Sequence, residues 1–357
     1  MMANNATPRP GLIVLLGSGE TLPSSGKTHE YVAQQLPEAP NIRIVETPAG
    51  FEPNTAAVAG KIKTFIERRL QNYDPNVKLI PARKQGTSHS PDNVTIVKDL
   101  YYADEIMFGP GSPTYCARQL KNTAALHITA ARHRLGATLF LSSASTLAFG
   151  RFTMPVYEIY KVGQDLHWQH GLNFWHPLGL DFSVIPHWNN NDGGDNLDTS
   201  RCYLGQDRFN ALYAMLPPEH TILGIDEHTS IIIDLAHQCC QVMGHGAVHI
   251  IRGGQEQHFT AEAEFSLNHL GQWQRPNPIS ANIPDEIWTQ AVTINEERQT
   301  ETVITPPDNV IDLVNQRQQA RQQKEWAVAD QLRDQITNLG WQVADTPQGP
   351  EITPLDT

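Results

Sequence analysis

Residues Ala137-Thr138-Leu139-Phe140-Leu141-Ser142-Ser143-Ala144-Ser145-Thr146-Leu147-Ala148 constrain this chain more than any other stretch. A β-branched and aromatic run stops at four small residues and resumes with helix formers. A buried parallel strand turning sharply into a helix has this pattern. The turn residue of such an elbow has a strained backbone, and its side chain stands clear at the carboxyl end of the sheet. Ser143 is the candidate nucleophile. On this stretch alone, a plain small-residue turn between strand and helix reads equally well.

The elbow is one of several strand-to-loop transitions. Gly11–Leu16, Asn41–Val45, Val77–Ile80 and Ala103–Phe108 are short apolar runs, and helical spacing follows the second, at Val58, Ile62, Phe65 and Ile66. Alternation of β and α predicts a mostly parallel sheet with helices on both faces. After the elbow, Leu178–Trp188 is read as a strand ending in His187, and Ile222–Glu227 as another ending in acids. The runs 230–234, 240–243 and 247–251 are read as an antiparallel finishing sheet. Ser24-Ser25-Gly26-Lys27-Thr28 suggests a phosphate loop, but the first glycine of that motif would fall at position 21, which is Thr21. A rim of the sheet's carboxyl edge is the better reading.

Composition sets the remaining bounds. The 357 residues carry a formal charge of −12, which argues against non-specific nucleic-acid binding through a basic surface. No apolar run approaches the ~20 residues of a membrane span. The opening, Met1 to Pro8, lacks the charged and apolar regions of a signal peptide. Cys116, Cys202, Cys239 and Cys240 show neither CxxC spacing nor disulfide density, so a cytoplasmic protein with reduced thiols is expected. From about residue 271 the chain turns polar and Pro-rich, predicting a linker over 271–307 with one short helix near 286–292. A module of two antiparallel helices is predicted over 308–350, with Gly340 as a helix stop.

A serine nucleophile needs a base, and the base needs a group that fixes its tautomer. His187 and Glu227 are both expected at the carboxyl edge that carries Ser143, which nominates them. Taken singly, His187 reads as well as a capping or core histidine, and Glu227 as a surface carboxylate. Backbone N–H groups of Ala144 and of Gly111 or Ser112 are the candidate oxyanion donors.

These residues carry a resemblance. Residues 11–270 resemble the serine peptidase family of dipeptidase E and cyanophycinase, whose domain is similar to the class I glutamine amidotransferases. Ser142-Ser143-Ala144-Ser145-Thr146 looks like the family's Ser-Ala-Gly-Ala, and Ile185-Pro186-His187-Trp188 like its Pro-His-Phe. Gly224-Ile225-Asp226-Glu227-His228-Thr229, Val242–Val248 and the Gly-rich loop Phe108–Tyr115 follow in family order. The resemblance implies cleavage of an amide or isopeptide bond in a small peptide-like substrate, without cofactor or metal. Leu141 and Ser145 stand where an elbow usually has glycine. Thr153 stands where dipeptidase E has an aspartate, and Glu158 is a rival orienting acid. An inactive binding module of the same fold is one alternative, and a tRNA- or synthetase-associated factor acting through the carboxyl-terminal helices is the other.

The carboxyl-terminal residues Asn309–Gly349 resemble the helical module of cysteinyl-tRNA synthetase, through Arg317, Ala320-Arg321, Lys324, Ala327, Ala329-Asp330, Leu332-Arg333-Asp334, Gly340 and Asp345-Thr346-Pro347-Gln348-Gly349. No synthetase catalytic motif accompanies them. Between Asp308 and Gly340, four bases (Arg317, Arg321, Lys324, Arg333) face five acids (Asp308, Asp312, Glu325, Asp330, Asp334), so a protein partner is as compatible as tRNA. Self-association is left open.

Overall fold

The computed structural model describes residues 8–302, 306–346 and 349–355. The opening segment before Pro8, and Pro347-Gln348 of the synthetase-like motif, lie outside the described residues. Two compact units divide after Ile294.

The first unit is built on strands that are apolar on both faces. β1 (Ile13–Leu16), β2 (Asn41–Val45), β3 (Asn76–Ile80), β4 (Glu105–Phe108) and β5 (Thr138–Ser142) pair in parallel, in the order β1-β5-β4-β2-β3. Successive side chains point to opposite faces, and both faces are dry except along the edge strand β3, where Asn76 and Lys78 are exposed. Ile13, Leu15, Phe108, Leu139 and Leu141 join one core cluster, while Val14, Leu16, Met107 and Phe140 join another. Helices α1 (Pro23–Ala33) and α2 (Thr55–Arg69) supply Val32, Ala33, Ala59, Ile62 and Ile66 to the second cluster. A short helix α3 (Val94–Val97) is followed by α4 (Pro113–Leu120) and α5 (Ala124–Arg134), which cover the other face with Cys116, Leu120, Ala125 and Ile128. Side-chain oxygens of Ser112 and Thr123 cap α4 and α5. This is the expected three-layer α/β arrangement.

The elbow strand β5 runs into α6 (Ala144–Phe149), followed by the small pair β6 (Phe152–Thr153) and β7 (Gln169–His170), with α7 (Val156–Tyr160) between them. The carboxyl half departs from a single sheet. β8 (Phe182–Ile185) and β9 (Thr221–Ile225), flanking α8 (Gln206–Tyr213), are parallel to each other but belong to a separate four-stranded sheet. That sheet is completed by β12 (Ala247–Arg252) and β13 (Gln255–Thr260). The intended finishing sheet is split. β10 (Thr229–Asp234) pairs antiparallel with β1, and β11 (Cys239–Gly244) and β14 (Glu264–Ser266) extend the large sheet beyond it, each antiparallel to its neighbour, whereas β12 crosses to the small one.

The residues Ser25, Gly26, Lys27 and Thr28 sit inside α1 rather than in a loop, with Thr28 Oγ1 bonded to Ser230 Oγ at 2.8 Å. A phosphate loop is therefore absent there. The linker expected over 271–307 also differs. Ile283, Ala291 and Ile294 are buried in the main core, the last two on α9 (Asp285–Thr302). Their scattered spacing among Thr, Gln and Pro hid them from a composition argument.

The second unit has its own small core of Val310, Val314, Ile336, Trp341 and Val343. Helices α10 (Asp308–Gln322) and α11 (Trp326–Asn338) are followed by a hairpin that the two-helix expectation lacked, β15 (Trp341–Thr346) with β16 (Gly349–Pro354). Gly340, at φ 83°, ends α11. Buried Arg317 donates two hydrogen bonds to the Asp345 carboxylate, at 2.8 and 2.9 Å, tying α10 to the hairpin.

A chain ending at Thr302 should keep the melting midpoint of the first unit. One ending at Leu270 should fall well below it, since each large apolar side chain exposed forfeits about 1.5–3 kcal/mol. Calorimetry of the two chains decides; equal midpoints would restore the linker reading.

Candidate functional site

The site forms where β5, β8 and β9 end. At the elbow, Ser143 has φ 52° and ψ −115°, and its N–H donates to Leu16 O at 3.0 Å. The two positions that depart from glycine are accommodated. Leu141 is fully buried in the core, paired with Leu15 and Phe108 on the neighbouring strands. Ser145 Oγ accepts from Ser142 N–H at 2.9 Å and donates toward Phe108 O at 2.7 Å, bolting the turn to β4.

Two residues past the end of β8, His187 is also left-handed, at φ 51°. Its Nε2 lies 2.8 Å from Ser143 Oγ, and its Nδ1 lies 2.8 Å from Glu227 Oε1, two residues past the end of β9. Nδ1–H donating to the carboxylate leaves the Nε2 lone pair facing the serine hydroxyl. Glu227 also accepts from Asn190 Nδ2 at 3.1 Å, and its own N–H donates to Asn189 Oδ1 at 2.8 Å. The His187 hydrogen bond is the main force holding the Glu227 carboxyl below its usual pKa, with Asn190 adding to it against the opposing pull of burial. Glu158 is engaged elsewhere, accepting from Thr114 Oγ1 at 2.6 Å. Thr153 is fully buried.

The two loop donors separate. Ser112 N–H is committed to Pro48 O at 3.0 Å, and Ser112 Oγ caps α4, so Ser112 has no main-chain donor to offer. Gly111 and Ala144 N–H have no acceptor among the described residues. Gly111 must be glycine: at φ 148° a Cβ would sit 2.0 Å from Pro48 O.

Sequence reasoning missed Asn189 and Asn190, although two amides just past a candidate base were a usable signal. It also missed Glu20, whose carboxylate accepts from Ser142 Oγ at 3.1 Å. A second serine–histidine–aspartate set lies at the amino ends of β8 and β9. Ser183 Oγ is 3.0 Å from His220 Nε2, and His220 Nδ1 is 3.4 Å from Asp181 Oδ1. Ser183 is wholly buried and its oxygen accepts from Phe152 N–H, so no substrate reaches it. Accessibility, not the trio of residue types, separates the two sets.

The first unit has the α/β fold of a peptidase. It resembles the crystal structure of a peptidase from an acI-B1 Actinobacterium, with a TM-score of 0.59 at 23% identity, over 73% of this chain and 98% of that one. The carboxyl-terminal residues 307–351 match the family model of the cysteinyl-tRNA ligase anticodon binding domain. Over 54 residues the chain is 44% identical to the cysteine–tRNA ligase of Chlamydia pneumoniae, and over 66 residues 36% identical to that of Lactobacillus helveticus. The matched stretches span only 11% and 14% of those enzymes.

Removing the Asn190 amide should let the Glu227 carboxyl rise toward its ordinary range. Glu227 is depressed in the fold, so its contribution holds above that range and fades as pH falls through the folded value. Asn190→Ala should therefore bring the acid-side loss of Ser143 reactivity to higher pH. An unshifted acid limb in the rate of Ser143 modification by a fluorophosphonate probe, followed from pH 4 to 8, would count against this role.

Proposed function

We propose that the first unit is a serine hydrolase that cleaves an amide or isopeptide bond in a small peptide-like substrate through an acyl-enzyme on Ser143. The observation that carries the reading is the unbroken line from Ser143 Oγ through His187 to Glu227, at 2.8 Å for each step. In this scheme His187 Nε2 takes the serine proton as Oγ attacks the carbonyl carbon. Gly111 and Ala144 N–H receive the developing oxyanion. Glu227 stabilises the imidazolium and keeps the ring in its productive tautomer. His187 then returns the proton to the departing amine. Water repeats the sequence on the ester, releasing the acid and restoring Ser143. The scheme uses no cofactor or metal, and the peptidase fold supports it.

The module at 307–351 supports a second, separate role: contact with a tRNA or docking onto a protein partner. Its near balance of acids and bases makes any phosphate contact weak and salt-sensitive. A cytoplasmic setting accords with both roles. Comparing the pulldown profile of the full chain with that of a chain ending at Thr302 tests the docking role, and loss of no partner would remove it.

A fluorophosphonate probe should modify Ser143, identified by mass spectrometry of the labelled peptide. Absence of labelling at every pH would favour the binding-module alternative. His187→Ala should slow labelling by roughly 10⁴-fold or more, since such residues act as a unit. Glu227→Gln should cost far more than Glu158→Gln; the reverse ranking would reassign the acid. Ser183→Ala should label normally.

A further inference from the structure

Three consecutive non-glycine residues, Arg201, Cys202 and Tyr203, have φ of 56°, 59° and 69°. L-residues enter this region singly, and a run of three is disfavoured at each position. Such a turn persists only where its surroundings over-determine it, and sites of function are where that happens.

The surroundings here are the main chain of the proposed base. Arg201 N–H donates to Trp188 O at 2.8 Å, and Cys202 N–H donates to His187 O at 3.1 Å. The Arg201 guanidinium also reaches Trp188 O, at 3.2 Å, and lies 4.0 Å from the centroid of the Trp188 ring. Trp188 is fully buried, with its other ring contacts to Phe209 and His249. The Cys202 side chain is buried in the same cluster as Trp188. The turn is thus stitched to His187 and Trp188, the second and third residues past β8, and His187 is itself left-handed.

The third residue of the turn faces the imidazole. The Tyr203 ring centroid lies 5.8 Å from that of His187, with the planes at 47°, and 5.9 Å from that of Tyr160. Hydrogen bonds to Ser143 and Glu227 fix His187 at its two nitrogens, both in the plane of the ring. Neither packs beside the ring; the Tyr203 side chain does, and it limits the swings of the imidazole about its Cα–Cβ and Cβ–Cγ bonds.

We propose that the left-handed turn Arg201–Tyr203 positions His187, with the Tyr203 ring holding the imidazole in line between Ser143 and Glu227. The proposal rests on the hydrolase reading of that site. Tyr203 is a positioning residue: it acts through His187 and needs no contact with substrate. The ring matters and the hydroxyl does not, so the effect should survive in phenylalanine. Right-handed backbone at 201–203 would swing the ring away and leave the carbonyls of His187 and Trp188 without these donors.

The test combines labelling kinetics with a structure that does not depend on activity. Tyr203→Ala should lower the rate constant for fluorophosphonate labelling of Ser143 by about 10²-fold, the scale of a misplaced catalytic group. Probe affinity should be little changed, and Tyr203→Phe should retain the wild-type rate. Tyr203→Gly, which tolerates φ 69° best, removes the ring while sparing the turn and should match the alanine variant. It serves if Tyr203→Ala does not fold. Crystal structures of the variants should show the His187 ring turned from Ser143. Wild-type labelling by both ring-less variants would overturn the proposal, as would a phenylalanine variant as slow as alanine. Should the wild type itself fail to label, the hydrolase reading falls. The positioning claim is then judged on the crystal structures alone, and an unmoved His187 ring rejects it.

Discussion

The structure depends on how one residue leaves a strand. β5 is central in the large sheet and buried on both faces, so it cannot fade gradually into solvent; it must stop and turn within the sheet's own thickness. Ser143 makes that turn in a left-handed conformation. Its N–H is held by β1 through Leu16 O, while Ser145 ties the next turn of backbone to β4 through Phe108 O. Three adjacent strands thereby fix one hydroxyl. His187 and Glu227 are brought to that fixed point by the smaller sheet, two residues past the ends of its parallel pair β8 and β9.

Much of this was legible because it rests on local chemistry. A run such as Leu139–Leu141 is apolar at every position, which only a strand covered on both faces tolerates. Small residues after it mark a turn with no room for bulk. His187 and Glu227 each sit at the end of an apolar run, so their shared edge followed from strand direction. What strand direction could not supply was sheet membership. β9, β10, β11 and β12 are all short and apolar, and their alternation looks alike in sequence. Whether β12 pairs with β9 or continues past β11 is decided by long-range pairing alone. The residues reach the same edge by two sheets rather than one, and the triad geometry is indifferent to the difference.

The remaining departures share a cause. Ser112 was a plausible oxyanion donor by position, but its N–H goes to Pro48, a residue some sixty positions earlier. Residues 271–294 read as linker because their polar composition dominates, yet a few well-placed side chains, Ile283, Ala291 and Ile294, suffice to bury the segment. In each case a backbone partner or a burial site distant in sequence decided the outcome, and no local pattern encodes it.

Left-handed backbone has a consequence for anyone who would stabilise this protein. Ser143, His187 and His228 all carry positive φ, as do the residues of the turn behind His187. Glycine or asparagine at such positions relieves strain of order 1–3 kcal/mol each. A search for thermostable variants by random mutation would therefore be drawn to this edge of the molecule, where the largest easy gains lie. Those gains would be made by loosening the few backbone angles that aim the side chains. Heat resistance selected without an activity screen would select against the site itself.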